Sequence, residues 1–182
     1  MDLEPTLNFE TLSMMELRSS PGEVLDRVSK EGMAFLVERN GQPKACLVPV
    51  SIFLPNISQD RIKKEIDALT EIEKAPWQLT ISNDKQFVAR FKEKVGRNEY
   101  TVEIILPHGY PNSAPKVRVL EVSNESPHRW GDGSLCIFGV MATWNPGKHK
   151  MTSVLELAIT WLSKYEEWRE LGSWPEQEDS DI

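Results

Sequence analysis

Cys136 is the residue of this chain whose type and setting best suit covalent chemistry. It lies in the sequence WGDGSLCIF, directly after the turn-forming residues Gly131-Asp132-Gly133. A thiolate is a good nucleophile and a good leaving group near neutral pH, which suits covalent catalysis. Turns on a rigid scaffold commonly display reactive groups. The alternative is a buried structural cysteine, because Leu135 and Ile137 flank the thiol.

His128 is a second candidate, eight residues before Cys136. An imidazole can pair with a thiolate, or it can donate a hydrogen bond to an oxyanion. Pro127 stiffens the chain just before His128, which suits a positioned side chain. The alternative is a histidine on a surface loop. Asp132 can help to deprotonate an incoming amine, although formation of the turn is its simpler role.

No metal or cofactor is expected. The three histidines and the two cysteines, Cys46 and Cys136, are too widely spaced for a metal site. Neither a glycine-rich phosphate loop nor a G-x-S-x-G element is present. We predict that Cys46, in the middle of the apolar run KACLVPV, packs inside a domain.

Charge and composition argue against several classes of protein. The net charge is −7, with −3 before residue 59 and −4 after it, so neither part has the basic character of a nucleic-acid-binding domain. This balance disfavours DNA binding without excluding it. Two cysteines make no disulfide framework, the amino terminus lacks the features of a secretory signal, and no apolar run reaches membrane-spanning length. We therefore expect a soluble, cytoplasmic protein.

The first 58 residues predict a small α+β domain. A strand is expected within residues 7–18, followed by a helix with Ser20 as its cap and Pro21 at its first position. Gly32 is expected to end that helix. Asn40-Gly41, between two apolar runs, predicts a hairpin because both residues reach positive φ readily. The break LPNISQD then sets the boundary between domains 1–58 and 59–182.

The second part predicts a helix, an antiparallel meander and a final helix. The first helix has an apolar stripe at helical spacing, formed by Ile62, Ile66, Leu69 and Ile72. Alternating apolar residues then predict four antiparallel strands between residues 77 and 122. Residues 123–150 have no period, and a long irregular segment in a compact domain is typically functional or disordered. The large side chains of Trp130, Phe138 and Trp144 favour an ordered segment. A helix capped by Thr152 follows, with an apolar stripe of Val154, Ala158, Trp161, Tyr165 and Trp168.

This order of elements, with its motifs, resembles the ubiquitin-conjugating enzyme family over about residues 60–182. The sequence RIKKE resembles the family's first helix, and the run LPHGYPNSAP (106–115) resembles its "YPxxPP" element. The sequence GSLC (133–136) resembles the "G-x-I/L-C" around the catalytic cysteine. Trp144-Asn-Pro146 resembles the "W-S-P" that follows that cysteine by eight residues. The resemblance implies a UBC-like α+β fold with a thioester-forming Cys136.

One departure from the family pattern concerns the stretch Ser126-Pro127-His128. The family's "His-Pro-Asn" has asparagine eight residues before the cysteine, where this chain has His128. In the family that asparagine is held to support the loop or the developing oxyanion, and the resemblance therefore implies a catalytic role for His128. The histidine, together with the closing WLSKYEEWRELGSWPE, looks more like the family's bacterial branch.

Members of that branch occur in antiphage operons, and the resemblance implies the same setting for this chain. The implied partner donates its carboxyl terminus and is a ubiquitin-like protein or a nucleotidyltransferase that makes cyclic nucleotides. ATP would be consumed by a separate activating enzyme. Trp144 and Pro146 would shape a gate beside Cys136, or would simply pack the irregular segment.

Residues 7–55 resemble the amino-terminal domain of Phd/YefM antitoxins, on the sequence from MELRSSPGEVLDRV to the hairpin that ends in LVPV. That family's domain dimerises and binds operator DNA. The resemblance implies a homodimer through residues 7–55, and it leaves DNA binding open. Two other functions therefore stay in view, a non-catalytic UBC-fold binding module and a DNA-binding autorepressor or antitoxin.

Overall fold

Residues 9–72 and 77–175 are described by a computed structural model of the chain. The chain divides into an amino-terminal unit, Met1–Pro55, and a carboxy-terminal unit, Asn56–Ile182. Residues 1–8 lie outside the described residues. They include most of the amino terminus that was compared with a secretory signal, and the start of the first predicted strand. No helix among the described residues is long and apolar enough to cross a lipid bilayer.

The amino-terminal unit is a three-stranded sheet with helices between its first two strands. Its elements are β1 (Phe9–Ser13), α1 (Met14–Ser19), α2 (Pro21–Glu31), β2 (Ala34–Arg39) and β3 (Gln42–Leu47), followed by a 3₁₀ turn at Val50–Ile52. β1 pairs with β2 in parallel, and β2 pairs with β3 in antiparallel fashion. The buried core consists of Leu12, Val24, Val28, Phe35 and Val37.

The turns of this unit follow the sequence, whereas one helix start does not. Gly32 ends α2 in the left-handed conformation, and both Asn40 and Gly41 have positive φ in the hairpin, so these predictions are confirmed. The strand predicted within residues 7–18 is wrong beyond Ser13. There a capping box with Glu16 starts α1: the Ser13 hydroxyl accepts from the Glu16 N–H, and the Glu16 carboxylate accepts from the Ser13 N–H. Ser20 makes no side-chain cap.

Cys46 is exposed, so the prediction that it packs inside the domain is wrong. It lies on β3, an edge strand of the sheet, whose neighbour among the described strands is β2. The apolar run around Cys46 resembles a buried strand, but the core of this unit lies between the helices and the first two strands.

The carboxy-terminal unit packs a four-stranded antiparallel sheet against a long helix. Its elements are α3 (Gln59–Thr70), β4 (Gln78–Ile81), β5 (Phe87–Val95), β6 (Asn98–Leu106), β7 (Lys116–Val119) and α4 (Met151–Leu171). The strands follow one another in sequence order, β4-β5-β6-β7. Alternate residues of β6 are buried, namely Tyr100, Val102, Ile104 and Leu106, and α4 packs against β5 and β6.

The buried face of α3 differs in part from the predicted one, which included Leu69 correctly. Ile66, expected to face inward, is 49% exposed, whereas Glu65, expected on the charged outer face, is only 2% exposed. A buried carboxylate is tolerated where hydrogen bonds and a cation compensate for its lost hydration. Arg61 and Tyr110 supply that compensation. Periodicity therefore predicted the helix and the burial of Leu69, but it did not predict that Glu65 faces inward or that Ile66 is exposed.

Helix α4 begins at Met151, one residue before the predicted cap. Thr152 is therefore inside the helix, and Lys150 is at the cap position. The carboxylate of Glu65 accepts a hydrogen bond from the Met151 N–H at 2.8 Å. A side chain of α3 thus accepts a hydrogen bond from one of the free N–H groups at the start of α4. In most helices the side chain of the helix's own N-cap residue has this role.

Candidate active site

A tight loop at residues 129–135 precedes Cys136. Arg129 and Leu135 form an antiparallel bridge, and the Trp130 N–H donates to the Ser134 carbonyl at 2.8 Å. The Gly133 N–H donates to the Trp130 carbonyl at 2.9 Å, and Gly133 has a φ of 82°. A three-residue hairpin loop ends in this way, with its last residue in the left-handed conformation that glycine favours. The predicted turn is confirmed.

The Arg129 guanidinium holds this loop against the segment before it. Two of its nitrogens donate to the Gly133 carbonyl, at 2.9 and 3.3 Å. A third donates to the Ser123 carbonyl at 2.8 Å and to the Asn124 side chain at 3.1 Å. Sequence reasoning missed Arg129. One feature of the sequence could have indicated its role. Arg129 has five N–H donors and lies in an irregular segment, where backbone carbonyls without strand partners need donors.

Asp132 is held rigidly on the same loop. One carboxylate oxygen accepts from the N–H and the hydroxyl of Ser134, at 3.0 and 2.6 Å, and the other accepts from the Lys116 ammonium at 2.6 Å. These hydrogen bonds, that of Lys116 foremost, hold the pKa of Asp132 far below its usual range. Such a carboxylate is a weak base, so the geometry favours the turn-forming role over deprotonation of an amine.

Cys136 is anchored through its backbone on both sides. The Leu135 N–H donates to the Val117 carbonyl of β7 at 2.8 Å, and the Cys136 N–H donates to the His128 carbonyl at 2.9 Å. The cysteine is 7% exposed. Burial raises the pKa of the Cys136 thiol above its ordinary value, and the negative charge of Asp132 adds to the effect. The thiol is therefore mostly protonated at neutral pH.

The chain brings His128 and Cys136 together. His128 has a φ of 57°, a conformation in which histidine, asparagine and aspartate are enriched. Its carbonyl accepts from Cys136 and from the Trp161 indole at 3.2 Å. Its exposed ring packs against Trp174, with ring centroids 4.8 Å apart. Within residues 9–72 and 77–175, no hydrogen bond to the ring nitrogens of His128 is found.

Cys136 and His128 line one cavity of about 210 Å³, together with Met141, Trp161, Lys164 and Trp174. The N–H groups of Cys136 and Ile137 are already used, since Ile137 donates to the Leu135 carbonyl at 2.9 Å. These two backbone N–H groups are therefore not free to donate to an oxyanion, whereas the His128 ring lines the cavity and has no hydrogen-bond partner in the described part of the chain.

Trp144 lies in an aromatic cluster and does not line this cavity. Its indole donates to the Pro111 carbonyl at 2.7 Å, and its ring is 5.3 Å from Phe138 and 5.6 Å from His149 between centroids. Of the two roles considered for Trp144, this geometry favours packing of the irregular segment over a gate at the thiol.

A buried polar network fixes the end of the irregular segment to α3. Arg61 donates to Glu65 at 2.7 Å, to the Tyr110 hydroxyl at 2.9 Å and to the His149 carbonyl at 2.5 Å, and it also bonds the Pro146 carbonyl. Burial and the Glu65 carboxylate raise the pKa of Tyr110, whose hydroxyl stays protonated and donates to Glu65. Sequence reasoning missed this network, because its members are far apart along the chain.

No group of three histidine, cysteine, aspartate or glutamate side chains in the described ranges could hold a metal ion. The site therefore comprises one thiol, one imidazole, and a largely apolar cavity between the irregular segment and α4.

A model of the family described as "Type II CBASS E2 protein" matches residues 65–181. Among solved structures, the UEV of Vps23 in a complex with ubiquitin is 15% identical, with a TM-score of 0.41, covering 68% of this chain and 91% of that one. A ubiquitin-conjugating enzyme described from Trypanosoma cruzi is 22% identical, with a TM-score of 0.40, covering 57% and 76%. No curated protein sequence matches the chain.

The family match defines the chain as an E2-like protein. Because the family model spans more than half of the sequence, the chain belongs to the type II CBASS E2 family. Its role is ubiquitin-conjugating-like, within bacterial CBASS antiphage systems. The predicted resemblance to the bacterial branch is thereby confirmed. The Phd/YefM resemblance of residues 7–55 stays a prediction.

Proposed function

We propose that the chain is an acyl-transfer enzyme in which Cys136 carries the carboxyl terminus of a protein as a thioester. The observation that carries this proposal is the placement of the Cys136 thiol. It lines a cavity at the end of a rigid loop, together with a histidine whose ring has no hydrogen-bond partner in the described ranges. A thiol kept only for packing needs neither the cavity nor the imidazole.

The reaction has two balanced steps. In loading, the Cys136 thiolate attacks the activated carbonyl carbon of the donor, the bond to sulfur forms, and the group that activated the carbonyl leaves. In discharge, a target amine attacks the thioester, an amide bond forms, the bond to sulfur breaks, and the amine loses a proton. A separate ATP-consuming enzyme supplies the activated carbonyl. The donor is a ubiquitin-like protein or a nucleotidyltransferase.

The elevated pKa of Cys136 fits a carrier that must hold its cargo. A thiolate of high pKa is intrinsically a stronger nucleophile, although less of it is present at neutral pH. It is also a slower leaving group, so the thioester resists water and stray amines. Rapid discharge then requires help at the carbonyl oxygen, and the His128 ring is the proposed donor of a hydrogen bond there.

The amino-terminal unit is proposed to form a homodimer through residues 7–55, as its resemblance to Phd/YefM antitoxins implies. Gel-shift assays with the chain's own promoter across a range of salt concentrations would test DNA binding. Absence of salt-sensitive binding would leave dimerisation as its role.

The thioester is tested by comparing the parent chain, Cys136→Ala and Cys136→Lys, each expressed with its own operon. The parent should carry an adduct that reducing agents remove, Cys136→Ala should carry none, and Cys136→Lys should trap the donor as a stable amide for mass spectrometry. A reducible adduct that persists in Cys136→Ala would exclude Cys136. No adduct in any of the three would favour a non-catalytic binding module.

The His128 role is tested with a matched pair of substitutions. His128→Asn keeps a hydrogen-bond donor and tolerates the left-handed backbone, whereas His128→Ala removes the donor. Loss of one oxyanion donor typically costs about a hundredfold in rate. We expect His128→Ala to slow discharge by that factor and His128→Asn to retain most of the rate. Rates within twofold of the parent for His128→Ala would show that the ring is not the donor.

A further inference from the structure

The cavity beside Cys136 is mainly apolar and aromatic on its sides. The Trp161 ring is fully buried and lies 5.1 Å from the Trp174 ring between centroids. Met141 contributes an apolar surface from the segment that follows the cysteine, and Trp174 comes from the chain just beyond α4. The part of the cavity next to sulfur is therefore suited to an apolar group.

The charges around the cavity are cationic or neutral. Lys164 and His128 are its basic side chains, and no acidic side chain of the described residues lines it. Lys164 has no carboxylate partner within residues 9–72 and 77–175. Its ammonium is thus free, as far as these residues go, to donate to a carbonyl oxygen of a bound peptide.

The occupant of this cavity follows from the thiol in its wall. Whatever acyl group Cys136 carries is attached to a sulfur atom that already lines the cavity. An extended peptide advances by about 3.5 Å per residue, so only the last one or two residues of a donor remain close to that sulfur. The volume of about 210 Å³ exceeds the roughly 150 Å³ that suffices for a benzene molecule.

We propose that this cavity is a specificity subsite that receives an apolar side chain of leucine or phenylalanine size from the last or second-last residue of the acyl donor. The inference rests on the proposed thioester function and adds the substrate class to it. Donors ending in two glycines would leave the subsite empty, and donors with a polar side chain there would bury an unpaired polar group. Selectivity in a hydrophobic pocket is about tenfold or more for a single methylene group.

Peptide thioesters test the subsite without the activating enzyme. Short acetylated peptides carry leucine, asparagine or glycine at the last or second-last position and end in an aryl thioester. The Cys136 thiolate attacks the thioester carbonyl, the bond to its sulfur forms, and the aryl thiolate leaves. The full chain with Cys46→Ser presents one cysteine, so intact-protein mass spectrometry measures loading at Cys136. Each rate is divided by that of the same peptide with N-acetylcysteine.

We expect the leucine peptide to load at least tenfold faster than the asparagine peptide of similar shape at one of the two positions. Met141→Trp fills the cavity and should bring that ratio to within twofold of unity. The matched control Leu171→Trp adds the same side chain at an exposed site of α4 and should keep the parental ratio. Trp174→Ala enlarges the cavity and should shift the preference towards a tryptophan peptide.

The outcomes separate the two proposals. Loading of all peptides at similar normalised rates, unchanged by Met141→Trp and Trp174→Ala, would overturn the subsite and leave the thioester function standing. Failure of every peptide to modify Cys136, in a chain whose fold is intact by circular dichroism, would overturn the proposed function and the subsite with it.

Discussion

Removal of the buried Glu65 carboxylate should be among the most destabilising single changes in the carboxy-terminal unit. Glu65 accepts hydrogen bonds from Arg61, from the Tyr110 hydroxyl and from the Met151 N–H. In Glu65→Ala, the guanidinium loses its carboxylate, the buried hydroxyl loses its acceptor, and α4 loses a capping group. None of these groups can regain full hydration in place.

The magnitude follows from the parts of this network. Breaking a buried ion pair by removing one partner costs about 3–5 kcal/mol. Loss of a helix cap costs about 1 kcal/mol. These contributions overlap because they share one carboxylate, so we expect about 4 kcal/mol of lost stability in total. Glu65→Gln keeps the shape and one acceptor oxygen, and roughly half of that loss is expected.

Tryptophan fluorescence isolates the unit concerned. All six tryptophans lie after residue 55, so urea unfolding followed by their emission reports on the carboxy-terminal unit. With a slope of about 2 kcal/mol per molar urea, Glu65→Ala should lower the midpoint by about 2 M. Asp67→Ala, an exposed carboxylate on the same helix, is the control. The reasoning is refuted if the two variants have the same midpoint at the same slope.

Two further perturbations address the loop and the thiol. Gly133→Ala should cost about 1–2 kcal/mol in the same urea assay, because its φ is 82° and the added Cβ would lie 3.1 Å from Arg129. Gly131→Ala, where a Cβ would meet nothing within 4 Å, should cost much less, and equal costs would contradict the account. In a Cys46→Ser background, alkylation of Cys136 by iodoacetamide should rise about tenfold per pH unit, because only the thiolate reacts and its pKa is raised. The rate should still be climbing at pH 8.5, the ordinary pKa of a cysteine, and a plateau below that pH would contradict the direction of the shift.

The sequence was informative wherever a local pattern determines the structure. Gly32, the Asn40-Gly41 turn and the alternation along β6 follow from φ preferences and from the period of a strand, both of which are read within a few residues. The turn at residues 131–133 follows for the same reason. Glu65 and Cys46 were misplaced because burial depends on partners distant in sequence. Periodicity cannot indicate that a carboxylate of α3 meets the start of α4.

The irregular segment that bears Cys136 lacks strand partners for most of its length, and its carbonyl groups still need donors. Side chains supply several of these donors. Arg129 bonds the carbonyls of the loop before the thiol, the Trp161 indole bonds the carbonyl of His128, and Arg61 bonds carbonyls at the segment's end. Together with Arg118 of β7, which bonds the Asp132 carbonyl, these donors come from α3, α4, the sheet and the segment itself, and they hold a backbone that lies largely outside the sheet and the helices.

This mode of support has a consequence for the reaction. The segment is fixed through hydrogen bonds to its carbonyl oxygens, so its side chains are left to line the cavity. The Cys136 thiol and the His128 imidazole therefore do not need a hydrogen bond between them to keep their positions. In the proposed transfer, the imidazole would then be available to the carbonyl oxygen of the thioester, where charge develops, instead of serving as the hydrogen-bond partner of the resting thiol. For the proposed thioester, a thiol with a raised pKa and an imidazole without a hydrogen-bond partner in the described part of the chain form the combination that favours slow spontaneous loss of the acyl group and fast transfer once a target amine arrives.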